Sequence, residues 1–244
     1  MNYHVYKLAI YDYLLYGIIY LFADAIIAYL FFMSTIPFIL FLPGIYFYFK
    51  FLSIFLKKRR DKLLTFQFKE YISIISSLLS TGYSLENAIL ESCKELQALY
   101  PNSLILDEAI KMSHKIMLHI PVETLFTDLA NRTDIHHIQT FSQILTIATK
   151  SGGNLIQIIM STTSSISSQI EIHREIDTSL SGKKYELYIM AVMPLLIILY
   201  IKCTQPGFFD SVYNNLLGSI LMFICLLFYI FAIYLAYKII TNIH

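Results

Sequence analysis

The sequence of 244 residues lacks the patterns that usually mark a chemical site. None of its eight glycines belongs to a GxxxxGK[ST] stretch, whose backbone amides would cradle a nucleotide phosphate, so a Walker-type nucleotide site is excluded. The three cysteines, Cys93, Cys203 and Cys225, show neither CxxC nor metal-ligand spacing, and we interpret them as structural. We therefore expect no catalytic residue, no cofactor and no metal, and we predict that the chain is not an enzyme.

The histidines are poorly placed for metal binding. His136 and His137 are adjacent, and neighbouring side chains on a helix point about 100° apart, whereas joint ligation favours a pair four residues apart. His114 and His119 are also unsuitably spaced. We interpret these four residues as exposed or helix-capping.

Charge is scarce in two long blocks, and the chain as a whole is 57% hydrophobic, which is high for a soluble protein. In residues 13–49 the only charged side chain is Asp24, and residues 187–201 and 216–237 have none. About 20 residues cross a bilayer, so each block is long enough for two spans, with a turn at the Ser-Thr pair 34–35 in the first. The predicted spans are about 13–33, 36–56, 186–203 and 216–237.

Basic residues mark the ends of the spans. Four consecutive Lys/Arg at 57–60 follow the second span, and Lys183 and Lys184 precede the third. Because short cytoplasmic segments are enriched in Lys and Arg, the middle of the chain and both termini are expected in the cytoplasm. The predicted organisation is an N-terminal transmembrane hairpin (1–56), a cytoplasmic domain (57–184) and a C-terminal transmembrane hairpin (185–244).

The predicted cytoplasmic domain is acidic. Residues 61–182 contain eight Lys/Arg and thirteen Asp/Glu, a net charge of −5. Nucleic-acid binding depends on clustered basic side chains that contact phosphates, so nucleic acid is not expected as a partner.

Helical periodicity dominates the domain. In the first helix, about 61–80, six apolar residues share one face, and Gly82 suits the positive-φ position that follows a helix. Ser84, Asp134 and Asn154 are predicted N-caps of later helices, which start near 84, 103, 121, 134 and 154. The Ser/Thr-rich segment 161–168 favours a helix with a small-residue face over a flexible linker. The apolar face of the first helix comprises Phe68, Tyr71, Ile72, Ile75, Leu78 and Leu79.

The predicted fold class is therefore all-α. It is an integral membrane protein with four transmembrane helices and a cytoplasmic antiparallel six-helix bundle domain. Asp24 is the only ionisable residue deep in a span, and we favour a packing or assembly contact for it over a functional role. Pro194 and the Pro43-Gly44 pair would loosen their spans locally.

Several short motifs occur in a recognisable order. They are Gly-Tyr-Ser-Leu-Glu-Asn-Ala-Ile at 82–89, Ile-Pro-Val-Glu-Thr-Leu at 120–125, Gly-Gly-Asn-Leu at 152–155, and Pro194 in the next span. Because these motifs occur in this order around the two predicted hairpins, the chain resembles the type II secretion system F domain family over nearly its whole length. The turns carrying the likeness are Gly82, Pro121, Gly152, Gly153, Asn154 and Pro194, whereas His119 stands where the family often has glycine.

The resemblance implies a bacterial inner-membrane platform, closest to the tight-adherence (Tad) pilus branch. Such a platform couples a cytoplasmic secretion ATPase to pilin extraction, so the implied partners are this ATPase, pilin subunits, membrane lipid, and a sibling platform protein or a second copy. A transporter subunit and a membrane enzyme are the alternatives, but the spans contain few of the polar residues that either requires.

The acidic second helix of the domain is a candidate partner interface. Glu91 and Glu95 are four residues apart and so share a face, and Glu86 lies at the start of the helix. An acidic surface attracts a basic patch on a partner. The alternative interpretation is an ordinary solvated helix face.

Overall fold

The computed structural model describes Tyr3 and residues 10–32, 44–151, 155–205, 207–209, 213 and 216–242. Within these residues the chain has eight helices and no strand, which confirms the all-helical prediction. The helices are α1 (Ile10–Phe32), α2 (Gly44–Ser80), α3 (Leu85–Leu99), α4 (Leu104–Met117), α5 (Val122–Thr133), α6 (His136–Ser151), α7 (Leu155–Thr204) and α8 (Leu216–Asn242).

Three of these helices are long and apolar enough to cross a membrane, consistent with a multi-pass membrane protein. They contain the segments Tyr11–Phe31, Leu155–Thr204 and Leu217–Ala236. Residues 36–43 of the second predicted span lie outside the described residues, and so do Pro43 itself and the predicted turn at 34–35.

The chain divides into two compact units. Unit 1 comprises Met1–Lys7 and Leu52–Arg174, and unit 2 comprises Leu8–Phe51 and Glu175–His244. The predicted boundaries between transmembrane spans and the domain lie at 56/57 and 184/185. Two helices, α2 and α7, continue through these boundaries without a break. Lys and Arg are good helix formers, so the basic residues change the polarity of these helices without ending them.

The core of unit 1 contains an aromatic cluster from three helices. All six residues predicted on the apolar face of α2 are buried, which confirms that face. The ring of Phe126 in α5 lies 6.2 Å from that of Tyr71 and 5.1 Å from that of Phe141, and Phe141 lies 5.7 Å from Phe68. These contacts fix α2, α5 and α6 against one another.

The Ser/Thr-rich segment is helical, as predicted. One face of α7 is buried in unit 1, and it comprises Ile159, Thr163, Ile166 and Ile170. Neighbouring hydroxyls donate to carbonyls of the preceding turn, for example Thr162 Oγ1 to Ile158 O at 2.8 Å. The hydroxyls of Ser161 and Thr162 are therefore satisfied within the helix, whereas the buried hydroxyls of Thr163 and Ser167 have no hydrogen-bond partner among the described residues.

The helix ends agree with the sequence in part. Gly82 has a φ of 97°, and the Ser84 hydroxyl accepts from the Asn87 amide at 3.4 Å, so both predictions are confirmed. Asp134 does not cap the next helix as predicted. It closes α5 in the left-handed conformation, with its N–H donating to Ala130 O at 3.0 Å, and α6 begins two residues later.

Unit 2 brings α1 close to α2, α7 and α8. A Cβ added at Gly17 would lie 3.6 Å from the Phe49 ring, so the small residue allows α1 and α2 to approach. A small apolar cluster joins α1 to α8 through Phe31 and Leu226. Lys202, near the end of α7, donates to the Tyr29 carbonyl of α1 at 2.5 Å.

Candidate interaction site

The buried stripe of α3 positions its acidic residues. Five residues along the helix face the core, namely Leu85, Ala88, Ile89, Ser92 and Leu96. Glu86 and Glu95 are exposed, and Glu91 is half-buried. Glu86 also lies in the first turn, where the positive end of the helix dipole favours a carboxylate.

The three glutamates do not form one surface. At about 100° per residue, Glu91 and Glu95 are about 40° apart on one flank of the buried stripe, whereas Glu86 lies about 140° from Glu91 on the other flank. Lys94 pairs with Glu91, its Nζ lying 2.6 Å from Oε2. The candidate surface is therefore the Glu91/Glu95 flank, and Lys94 offsets part of its charge.

The remaining predicted turn residues are only partly described. Pro121 immediately precedes α5, where its missing N–H costs no helical hydrogen bond. Pro194 lies inside α7 without ending it. Gly152, Gly153 and Asn154 lie outside the described residues.

His119 has a positive φ, a backbone conformation that glycine adopts more readily than other residues. Its φ is 59°, and its N–H donates to Ile116 O at 2.8 Å while the Ile120 N–H donates to Lys115 O at 3.2 Å. The turn between α4 and α5 is thus tight even though the residue is not glycine. A left-handed conformation costs a residue with a Cβ about 1–2 kcal/mol.

We expect His119→Gly to raise the free energy of unfolding by about 0.5–1 kcal/mol, because relief of the positive-φ strain exceeds the added freedom of the unfolded chain. The matched control is His114→Gly, at an exposed position inside α4. This change should lower stability by about 1 kcal/mol, since glycine weakens a helix interior. Urea midpoints of the full chain in nanodiscs, followed by pulse proteolysis of unit 1, measure both. Equal signs for the two variants would contradict the interpretation.

Asp24 is buried in α1, with 6% of its surface exposed. Its Oδ2 has no hydrogen-bond partner among the described residues. The burial is consistent with the predicted packing position, and the Asp24 carboxylate interacts electrostatically with Tyr20, one turn earlier in α1.

A polar cluster that was not predicted lies in unit 1. Glu108 in α4 is 1% exposed and accepts hydrogen bonds from Arg132 at 2.6 Å, Lys111 at 2.8 Å and the Tyr3 hydroxyl at 3.2 Å. Arg132 also donates to Asp128 at 3.0 Å. Burial alone would raise the pKa of Glu108, but the hydrogen bonds and charges of Arg132 and Lys111 outweigh it and hold the pKa at about 2.

One sequence signal could have identified Glu108. Ile105 lies three residues before Glu108, and Ala109 and Met112 lie one and four residues after it. All three apolar residues are buried. The glutamate therefore lies within the apolar stripe of α4, where a carboxylate requires a partner. The identity of the partners, Tyr3 and Arg132, could not be read from this pattern.

Among the described residues, no group of three or more His, Cys, Asp or Glu is arranged to hold a metal ion. Comparison of the chain with family models, curated proteins and solved structures gives no match. The family resemblance therefore rests on the sequence motifs and remains a prediction.

Proposed function

We propose that this chain is a bacterial inner-membrane platform protein of the type II secretion F domain family, closest to TadB of tight-adherence pili. In this role it couples a cytoplasmic secretion ATPase to the extraction and assembly of pilin. The protein itself needs no cofactor and carries out no catalysis. Both termini and unit 1 are assigned to the cytoplasm, and a sibling platform protein or a second copy is the expected membrane partner.

The observation that carries the proposal is the continuity of α2 and α7. Each helix belongs to the helical unit 1 at one end and to the apolar unit 2 at the other. An unbroken hydrogen-bonded helix links displacement of its two ends more directly than a flexible linker does. This is the connection that a platform needs if it receives force on a polar domain and acts on a substrate in the membrane.

Pairing with a second copy or a sibling has a candidate surface on α7. Opposite its buried face, α7 exposes Ser161, Ser164, Ser165 and Ser168. Their spacing of three, one and three residues places them on one helix face, and small side chains allow another helix to approach closely.

The Glu91/Glu95 flank of α3 supplies a test of the ATPase contact. We expect the double change Glu91→Lys and Glu95→Lys to leave insertion and protein level intact while it reduces pilus output and co-purification of the ATPase. The reason is that four units of charge change turn attraction for a basic patch into repulsion. Co-purification from native membranes at two salt concentrations measures the effect, and the difference from the wild type should be smaller at higher salt, where the wild-type attraction and the repulsion in the variant are both screened.

A matched control exists on α7. Glu171 and Glu175 have the same four-residue spacing and are both exposed. The double change Glu171→Lys and Glu175→Lys alters the net charge equally and should leave co-purification unchanged. If both double variants behave like the wild type, the coupling surface lies elsewhere, and if both lose the ATPase, the effect is one of net charge alone.

The membrane topology is tested by thiol labelling with an impermeant reagent. Cys93 is a poor reporter, because it is half-buried and burial raises the pKa of its thiol. Gln97→Cys, at an exposed position on α3, should replace it in a chain with the native cysteines changed to serine. On intact spheroplasts we expect labelling of a chain whose only cysteine is Cys203, and no labelling at position 97 until lysis. Labelling at position 97 before lysis would reverse the assigned orientation.

A further inference from the structure

Tyr3 is buried against the helices of unit 1. Only 1% of this residue is exposed, although it lies outside every helix. Its N–H donates to the Arg132 carbonyl at 3.0 Å, and its carbonyl accepts from the Arg60 guanidinium. Both polar groups of the backbone at this residue are therefore satisfied by unit 1.

The side chain of Tyr3 is recognised as well. Its hydroxyl donates to the buried Glu108 carboxylate at 3.2 Å, and the Arg60 guanidinium lies 5.3 Å from the centre of its ring. A cation over an aromatic face and a charge-assisted hydrogen bond are both selective for the side chain they contact. The contacts to Tyr3 come from the side chains of Arg60 in α2 and Glu108 in α4 and from the backbone carbonyl of Arg132 in α5, all far from Tyr3 in the sequence. We call these three residues the seat of Tyr3.

The residues that contact Tyr3 are also held in place by contacts that do not involve Tyr3. Glu108 and Arg132 are held by their own ion pair at 2.6 Å, and Lys111 adds a second pair at 2.8 Å. Glu108 and Arg132 also line an open cleft of about 210 Å³, together with Met112 and Lys115. Since the helices that present these groups are joined through the core of unit 1, departure of Tyr3 would leave most of the recognising groups in position.

We propose that this seat is a peptide-recognition site for a tyrosine-bearing segment, and that its resident ligand is Tyr3 of the same chain. Recognition combines backbone hydrogen bonds with one anchoring side chain, which is a common mode of peptide binding. The proposal does not depend on the platform function. It predicts that a separate peptide containing Tyr3 binds to a protein in which this side chain has been removed.

The test uses the full-length Tyr3→Ala protein in nanodiscs and a synthetic peptide of residues Met1–Lys7 with a fluorophore on the Lys7 side chain. We expect the fluorescence polarisation of the peptide to rise with the variant protein. Wild-type protein should bind at least tenfold more weakly, because its tethered segment occupies the seat at an effective concentration in the millimolar range. Far-UV circular dichroism and protease resistance verify that the variant protein is folded.

Two control peptides define the chemistry. The peptide with Tyr3→Phe should bind about tenfold more weakly, as expected for loss of one hydrogen bond to a charged group, and the peptide with Tyr3→Ala should not bind. If the three peptides bind equally, or if none binds to the folded variant, the proposal is wrong.

The test remains decisive if the Tyr3→Ala protein loses its folded unit 1. In that case the wild-type peptide, added in trans, should restore the protease resistance of the variant, and the Tyr3→Ala peptide should not. Failure of the wild-type peptide to restore resistance would show that Tyr3 is needed only as part of the covalent chain.

Discussion

Glu108→Ala is expected to lower the free energy of unfolding of unit 1 by about 2–4 kcal/mol. Removal of one member of a buried ion pair costs about 3–5 kcal/mol when the remaining charge stays buried. Arg132 and Lys111 retain 24% and 51% side-chain exposure, so water partly compensates for the lost pair and the expected loss is about 1 kcal/mol below this range. Pulse proteolysis of unit 1 in a urea titration of the full chain measures the change.

The pH dependence of stability tests whether the negative charge of Glu108 is what stabilises unit 1. An unfolded glutamate has a pKa of 4.5, and the folded value for Glu108 is about 2. Because the folded pKa is lower, this stabilisation is fully present above about pH 4.5 and is lost as the pH falls toward 2. At about 1.4 kcal/mol per unit of pKa, the contribution is about 3 kcal/mol.

Glu108→Gln separates charge from volume, since it retains the shape and one acceptor. The variant should lose the Glu108 part of the acid destabilisation, so that its stability falls less steeply than that of the wild type below pH 4.5. The control is Glu95→Gln, an exposed position that should change stability by less than about 0.5 kcal/mol. Identical acid profiles for Glu108→Gln and wild type would contradict the assigned role of Glu108.

Phe126→Ala is expected to cost about 3–5 kcal/mol, the usual loss for a buried phenylalanine. The residue is fully buried, and its ring contacts Tyr71 of α2 and Phe141 of α6. Truncation leaves a cavity between three helices that are held in place by other contacts, so the site cannot collapse to fill it. Since a domain is stable by only about 5–15 kcal/mol, the amount of protein in the cell should also fall several-fold.

An exposed apolar residue provides the comparison. Leu118 is 73% exposed, and Leu118→Ala should change stability by less than about 0.5 kcal/mol. Phe126→Leu, which fills more of the space, should fall between alanine and wild type. If Phe126→Ala and Leu118→Ala had equal urea midpoints and equal abundance in membranes, Phe126 would not be part of a packed core.

The sequence by itself determined the features that are encoded over a few residues. The three- and four-residue spacing of apolar side chains predicted the buried face of α2, and Gly82 and Ser84 predicted the turn between α2 and α3. The helical state of the Ser/Thr-rich segment of α7 was predicted as well. The scarcity of charge in two blocks predicted apolar helices long enough to cross a membrane. Each of these predictions depends on the intrinsic geometry of the helix and on local hydrogen bonding.

The tertiary structure alone decided which distant residues meet. Tyr3 and Glu108 are 105 positions apart, and no local pattern links them. The change from apolar to basic residues at 57–60 is a boundary of polarity, yet α2 continues through it, because the backbone hydrogen bonds of a helix are indifferent to whether its side chains face lipid or water. Asp134 is compatible with either a helix start or a left-handed helix end, and the packing of α5 against α6 selected the second. Local chemistry thus specified the helices, whereas the buried polar contacts depend on how those helices pack.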